Sequence, residues 1–328
     1  MSQSAGPFPP ASNLLSMIGM DRLKDPWVRG IALTLFVLIV LATATRVSPP
    51  TPLQSERPVS STKEAPHIRG PEQYAWLNRR QAKEYVPLIE RIPAPDGYTR
   101  VKVAPRGFAD WLRHLPLAAP DSPVRTGKKK MVMGADDPKL AAVIALQPSN
   151  DRLLAGPNLL VRLRAEYLWS SKNLEGLGFH FTSGHRSTWE SWAAGQRPTV
   201  RGREVTFKQA FDADESRESF CSYLETVFQY GSVYSVMEDT IRVADGSIAA
   251  GDIFLRAGKK GYSLMVLDAC HAEDGSIRIL LGDAGTPAQT FHVLRAGDGS
   301  AWFSVTSQCD IVLPDGRALK PSDLRRWR

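Results

Sequence analysis

The residues that could support thiol chemistry are few, and their spacing forms no evident catalytic pair. The chain has three cysteines, Cys221, Cys270 and Cys309, and six histidines. Cys270 and His271 are neighbours, but adjacent side chains in a strand point to opposite faces, so the two could meet only if the strand had already ended. Three cysteines allow at most one internal disulfide. We expect small core residues instead, with a disulfide as the alternative.

Metal chemistry would need more ligands than the sequence brings together. His180 and His185 are close in the chain, and Asp212, Asp214 and Glu215 could add carboxylates. Because no third histidine stands at ligand spacing, we expect no metal. Gly-rich phosphate loops and serine-nucleophile motifs are not found either, so the sequence predicts no cofactor.

An aromatic pair could bind sugar. Trp189 and Trp192 stand three residues apart, which places them on one helix face, with Arg197 close behind. Such rings can stack on sugars, but packing in the core is the alternative that we favour.

The elements that would position these residues follow from hydrophobic patterning. Pro157 suits a first helical position, and an apolar stripe containing Leu160 and Leu163 predicts a helix over Asn158–Trp169. Early helices and late strands predict the α+β class. Further helices are predicted at Tyr74–Ile89, Phe108–Arg113, Ser187–Ala194 and Ser219–Tyr230, a hairpin at Val200–Val205, and strands at Tyr98–Val103, Leu140–Leu146, Leu177–Thr182, Asp252–Leu255, Ser263–Asp268, Ile277–Leu281 and Thr290–Leu294.

Seven blocks of the chain carry a resemblance to a known family. They are Gly97–Val101, Phe108–Leu117, Leu163–Trp169, Phe179–Gly184, Trp192–Pro198, Gly251–Phe254 and Pro287–Gln289. In order and spacing they resemble the blocks of a bacterial family known as the domain of unknown function 4846. The likeness runs from about Tyr74 to Trp327, so it covers most of the chain. The strand pattern of the chain is also similar to that of papain-like cell-wall amidases. The resemblance therefore implies a papain-like core, with a helix packed on an antiparallel sheet.

Three departures from the family pattern concern the residues that would carry out hydrolysis. The resemblance implies a cysteine where Gly156 stands, a histidine where Tyr262 stands and a glutamine where Asp283 stands. A cysteine at a helix N-terminus with a nearby imidazole is what thiol hydrolysis requires. Gly156 offers no nucleophile, and a tyrosine is a poor base at neutral pH because its pKa is near ~10. These positions therefore indicate a vestigial site. Gly156→Cys together with Tyr262→His should not impair folding if the scaffold still fits both side chains.

The first part of the chain predicts an exported, membrane-anchored protein. An uncharged run, Gly30–Thr45, lies between Arg29 and Arg46 and is near the lower limit for a transmembrane helix, so we place an anchor at 30–46. Ala42-Thr43-Ala44 allows a cleaved signal peptide as the alternative. Segment 1–29 would be cytoplasmic because its basic residues stay inside, 47–72 would be a Pro-rich linker, and 73–328 would be the exported domain. We expect a single pass through the bacterial inner membrane, with the C-terminal domain in the periplasm.

Composition is that of an ordinary globular protein that can bury a core. The chain has 328 residues, 43% hydrophobic and 23% charged, and a net charge of +7. Nucleic acid is disfavoured by the expected location. From the three departures at Gly156, Tyr262 and Asp283, we predict a catalytically inactive domain that binds a peptide, a cell-wall fragment or an envelope partner. The alternative is an active cysteine hydrolase that uses Cys270, Cys221 or His180. Candidate ligand-binding residues are Tyr262, Asp283, Arg164, Glu166, His180, Trp192 and Arg197.

Overall fold

A nine-stranded antiparallel sheet organises the part of the chain that the computed structural model describes, residues 73–77, 85–146, 156–243, 247–306 and 309–328. The chain divides into two units, Met1–Pro66 and His67–Arg328, and the described residues belong to the second. The segments expected to be the anchor and the linker lie outside them. Among the described residues, no helix is long and apolar enough to cross a membrane.

Short helices accompany this sheet. Helix α3 begins at Pro157, as predicted, and buries Leu159, Leu160 and Leu163. Helix α5 is capped by Ser216, whose hydroxyl accepts a hydrogen bond from the Ser219 amide at 3.1 Å. The helices are α1 (Leu88–Arg91), α2 (Phe108–Arg113), α3 (Pro157–Ser170), α4 (Trp189–Ala193), α5 (Arg217–Tyr230) and α6 (Val233–Glu238).

The strands outnumber the helices, so the fold is mixed α+β and mostly β. They are β1 (Val86–Pro87), β2 (Tyr98–Arg100), β3 (Pro116–Leu117), β4 (Val124–Arg125), β5 (Met131–Met133), β6 (Leu140–Val143), β7 (Gly178–His180), β8 (Arg186–Thr188), β9 (Gln196–Arg201), β10 (Glu204–Gln209), β11 (Thr240–Arg242), β12 (Ile253–Arg256), β13 (Tyr262–Ala272), β14 (Ile277–Asp283), β15 (His292–Leu294), β16 (Trp302–Val305), β17 (Ile311–Val312), β18 (Ala318–Leu319) and β19 (Leu324–Trp327).

The main sheet buries both of its faces. Its order is β11-β19-β12-β13-β14-β15-β6, with β16 paired to β14 and β2 paired to β13. One face joins α3 and α5 in the larger hydrophobic cluster, which contains Met265 and Leu267. The other face forms a second cluster, which contains Leu264 and Val266. The two faces of β13 therefore contact different parts of the core.

Most of the predicted elements are confirmed, although some begin elsewhere. The helix predicted over Tyr74–Ile89 is wrong at its C-terminal end, where Val86–Pro87 is a strand and the helix begins only at Leu88. Pro87 explains this shift, because the residue before a proline disfavours helical geometry. Strand geometry also extends to Thr188, so the helix predicted from Ser187 begins at Trp189. Sequence patterning missed one helix and several mostly short strands: α6, β1, β3, β4, β5, β11, β16, β17, β18 and β19.

A buried carboxylate fixes the centre of the longest strand, β13. Asp268 is fully buried and accepts hydrogen bonds from Arg100 Nε at 2.7 Å and Arg113 Nε at 2.6 Å. The two arginines belong to β2 and α2, so the carboxylate joins three elements. The pairing register of β13 with β14 shifts between Val266 and Asp268, which marks a bulge at this point.

Replacing Asp268 with Ala should destabilise the domain by about 3–5 kcal/mol, because two arginines would lose their buried counter-charge. Urea unfolding of the full chain measures the effect. The exposed Asp121 provides the control, since Asp121→Ala should change the free energy of unfolding by less than about 0.5 kcal/mol. Equal effects of the two substitutions would contradict a structural role for the buried carboxylate.

Candidate functional site

A cavity of about 410 Å³ lies where β13 begins and β14 ends. Gly156, Tyr262 and Asp283, the three positions that the sequence singled out together, all line it. The other lining residues come from β5, the residue before β6, the start of β13, the loop between β14 and β15, β15 itself, and the turn between β17 and β18. They are Val132, Met133, Lys139, Gly261, Ser263, Gly285, Thr286, Gln289, His292, Leu294, Leu313, Pro314, Asp315 and Arg317.

The three positions approach the cavity from opposite faces of the sheet. Tyr262 packs in the second cluster with Leu264, whereas α3 packs on the other face. Since side chains alternate along a strand, Ser263 is the residue of this pair that faces the start of α3. A Cβ atom at Gly156 would lie 3.1 Å from Ser263 Oγ, in agreement with that direction. The Tyr262 side chain therefore points away from the helix N-terminus.

The Tyr262 hydroxyl is already engaged by the protein. It donates to Asp323 Oδ2 at 2.5 Å and accepts from the Lys320 amide at 3.0 Å. Burial raises the pKa of Tyr262 to about 12, and the bond to Asp323 adds to the rise. The phenol thus stays protonated at neutral pH and acts as a hydrogen-bonding group, not a base.

Gly156 has a backbone conformation that other residues rarely adopt. Its φ is +53° and its ψ is −118°, directly before the first turn of α3. Its amide donates to the Gly285 carbonyl at 3.2 Å, which ties the start of the helix to the loop after β14. A side chain would strain this backbone and would also crowd Ser263. This backbone argues against the Gly156→Cys half of the paired substitution, which stays a prediction.

A polar cluster forms the other wall of the cavity. Arg317 Nη2 donates to Asp283 Oδ2 at 2.5 Å, and Arg317 Nε donates to Asp315 Oδ2 at 2.7 Å. The second Asp283 oxygen accepts from the Gly285 amide at 3.0 Å. Burial alone would lower the pKa of Arg317, but the two carboxylates raise it. Asp283 is consequently held in one position by paired charges.

His292 completes this cluster. It lies directly opposite Asp283 in the ladder between β14 and β15, so the two side chains share a face. Its Nδ1 bonds with the Thr290 carbonyl at 2.9 Å. Burial lowers the pKa of His292, which favours the neutral ring. In that state Nδ1 carries the proton and Nε2 is a hydrogen-bond acceptor.

Two of the sequence-predicted ligand residues, Arg164 and Glu166, help to hold the helices together. Glu166 is buried and pairs with Arg217 of α5 at 2.7 Å. Arg164 lies over the rings of Phe108 and Tyr167, at 5.2 Å and 5.6 Å from their centroids. These contacts link α3 to α5 and α2, away from the residues that line the cavity.

The remaining candidates also have partners within the protein. His180 Nδ1 forms a hydrogen bond with Asp239 Oδ1 at 2.6 Å. Both residues line a crevice that is too narrow to hold a water molecule. Arg197 covers the Trp192 ring at 3.7 Å, and its other side faces Phe211 at 4.8 Å. The Trp192 ring is itself buried, as the packing alternative predicts.

The three cysteines are free. Cys270 is buried, so the prediction of a core residue is confirmed at this position. Cys221 and Cys309 are exposed, so that prediction is wrong for both of them. Burial raises the pKa of Cys270 to about 11 and also raises that of Cys221. His271 is exposed while Cys270 is buried, so the neighbours face apart as predicted. Among the residues that the structure describes, no group of three or more His, Cys, Asp or Glu side chains could hold a metal ion.

Comparison with known proteins gives one match. The model of the domain of unknown function 4846 matches residues 88–326, well over half of the chain. The chain belongs to this family. Neither the search of curated proteins nor the search of solved structures found a match.

In this member of the 4846 family, sequence reasoning missed several residues at the cavity. Arg317, His292 and Ser263 all line it, yet none belongs to the blocks that carry the resemblance. The sequence did contain a signal for His292. It is a histidine inside the predicted strand Thr290–Leu294, and because it lies two residues before Leu294 it shares a face with that cavity-lining residue. Arg317 gave no comparable signal, since its partner Asp283 is 34 residues away in the sequence.

Gly156→Ala should destabilise this family member by about 1–3 kcal/mol, because alanine would be forced into a left-handed backbone. Gly156→Cys should cost at least as much. Urea unfolding measures both. Gly297→Ala is the matched control, as nothing lies within 4 Å of its Cβ position, and its change should stay below about 0.5 kcal/mol. A neutral Gly156→Cys variant would show that the position accepts a nucleophile.

Proposed function

We propose that this family member is an exported, membrane-anchored domain with a papain-like core that binds a peptide or cell-wall fragment without cleaving it. The arrangement of α3 on an antiparallel sheet, with its N-terminus near the start of β13, supports the papain-like interpretation. The apolar run between Arg29 and Arg46 and the basic residues before it support the anchor and the periplasmic location.

The backbone of Gly156 is the observation that carries this proposal. In a papain-like hydrolase the thiol projects from the N-terminus of the helix that packs on the sheet. Here that position has a φ of +53° and accepts no side chain without strain. Both the residue type and the backbone of this turn therefore support a site without a thiol nucleophile.

The cavity nevertheless has the properties of a binding site. Its polar wall offers the paired Asp283 and Arg317 together with His292, and apolar surface comes from Leu294 and Leu313. Such a mixture, in which a few placed polar groups orient a ligand over apolar contacts, is typical of small-molecule and peptide sites. A volume of about 410 Å³ is also within the range of such pockets.

The alternative, an active cysteine hydrolase, has less support. Cys270 is buried with a raised pKa, and Cys221 lies on α5, outside the cavity lining. A raised pKa leaves less of the reactive thiolate at neutral pH. One binding experiment tests both functions, because it measures whether a fragment is retained and whether the retained fragment has been cleaved.

Detergent-solubilised full-length protein should retain fragments from a bacterial cell-wall digest in equilibrium dialysis, and mass spectrometry should find their masses unchanged. The double variant Asp283→Asn with Arg317→Gln removes both charges of the cavity pair while leaving neither partner as a lone buried charge. We expect this variant to retain at least about tenfold less, a loss of about 1.4 kcal/mol.

The matched control is Asp252→Asn with Arg326→Gln. This pair is also a buried aspartate with an arginine, at 2.6 Å, but it does not line the cavity. It should retain the fragments as the wild type does. Equal losses in both double variants would argue against the cavity, and shortened fragments would favour the hydrolase.

A further inference from the structure

Beside the cavity, a hairpin exposes apolar side chains next to a run of lysines. In β5, Met131 is 58% exposed and Val132 is 43% exposed. Lys128, Lys129 and Lys130 precede them directly and are also exposed. Val132 lines the cavity, so the hairpin of β4 and β5 forms part of its edge.

This hairpin is held in place by backbone hydrogen bonds. The Thr126 amide donates to the Lys130 carbonyl at 2.8 Å, and the Lys129 amide donates to the Thr126 carbonyl at 2.8 Å. At its base, the Thr290 amide donates to the Arg125 carbonyl at 2.8 Å. The lysines are therefore presented on a defined turn that is fixed to the cavity wall.

Two further segments at the cavity edge repeat the same chemistry. Val312 is 67% exposed and stands next to Leu313, which lines the cavity. Lys259 and Lys260 are exposed and stand directly before Gly261, another lining residue. We call the set Met131, Val132, Val312, Lys128–Lys130, Lys259 and Lys260 the basic-apolar edge.

Favourable hydration explains why the lysines of the basic-apolar edge are exposed, but it does not explain why the apolar side chains beside them are exposed. Among the described residues, the ion pairs within 4.0 Å include none of these five lysines. Unpaired cations favour an anionic partner, which a soluble polymer could supply. Exposed methionine and valine side chains favour a partner with an apolar interior as well, and a bilayer combines the two.

We propose that the basic-apolar edge docks on an anionic lipid surface, with the lysines at the headgroups and the apolar side chains inserted beneath them. Anionic headgroups attract clustered lysines, and the attraction falls off within a Debye length. An N-terminal anchor would strengthen weak docking by keeping the domain close to the bilayer. Docking in this orientation would turn the cavity edge toward the membrane.

The test places an environment-sensitive nitrobenzoxadiazole label on Met131→Cys in full-length protein with Cys221→Ser and Cys309→Ser. The protein is reconstituted in vesicles of phosphatidylcholine, or of phosphatidylcholine and phosphatidylglycerol in equal amounts. We expect emission at shorter wavelength, and quenching by doxyl-labelled lipid, only in the anionic vesicles. Lys128→Gln, Lys129→Gln and Lys130→Gln together should abolish both signals.

The control label is on Tyr234→Cys, which replaces a side chain that is 60% exposed on α6 and does not belong to the basic-apolar edge. Because both signals report the surroundings of the label, anchoring through the N-terminal run does not produce them. The proposal fails if the label at 131 behaves like the label at 234, or if neutral vesicles give the same response. It also fails if soluble dextran sulfate alone produces the emission shift, since the partner would then be a polymer.

Discussion

The position of strand β13 depends on one buried carboxylate. Asp268 lies at the middle of this strand and is neutralised by Arg100 and Arg113, at 2.7 Å and 2.6 Å. A buried charge with a missing partner is costly, so the strand, β2 and α2 must keep this arrangement together. Because β13 also pairs with β12 and β14, its position sets that of the whole sheet. The candidate site begins where this strand begins.

The alternation of side chains along β13 then decides what the site can do. Ser263 faces the start of α3, while Tyr262 faces the second cluster and bonds with Asp323. Gly156 turns the chain into α3 with a φ of +53°, which favours glycine. On our account, the cavity has therefore kept its walls and its polar cluster while the helix N-terminus offers no nucleophile. Binding without cleavage is the function that we propose for this cavity.

Sequence patterning predicted the local elements because their signals are local. Pro157 and the apolar stripe behind it marked α3, and alternating residues marked the strands of the main sheet. Contacts between distant residues gave no such signal, so the pair of Asp283 and Arg317 was missed. Strand β19 was missed for a related reason: Leu324–Trp327 has two adjacent arginines, and Arg326 finds its partner, Asp252, far along the chain. The left-handed φ of Gly156 was equally hidden, because a glycine in a sequence does not reveal its backbone angles.

The central claim, that the cavity holds a ligand intact, is tested most directly by photo-cross-linking in growing cells. A photoreactive residue at Thr286, which is exposed and lines the cavity, is compared with one at the exposed Ser222 of α5. We predict an adduct at Thr286 that is absent at Ser222, whose attached molecule has the same mass as the free molecule in envelope extracts. An attached molecule shorter than its free form would contradict the account, as would an equal yield at both positions.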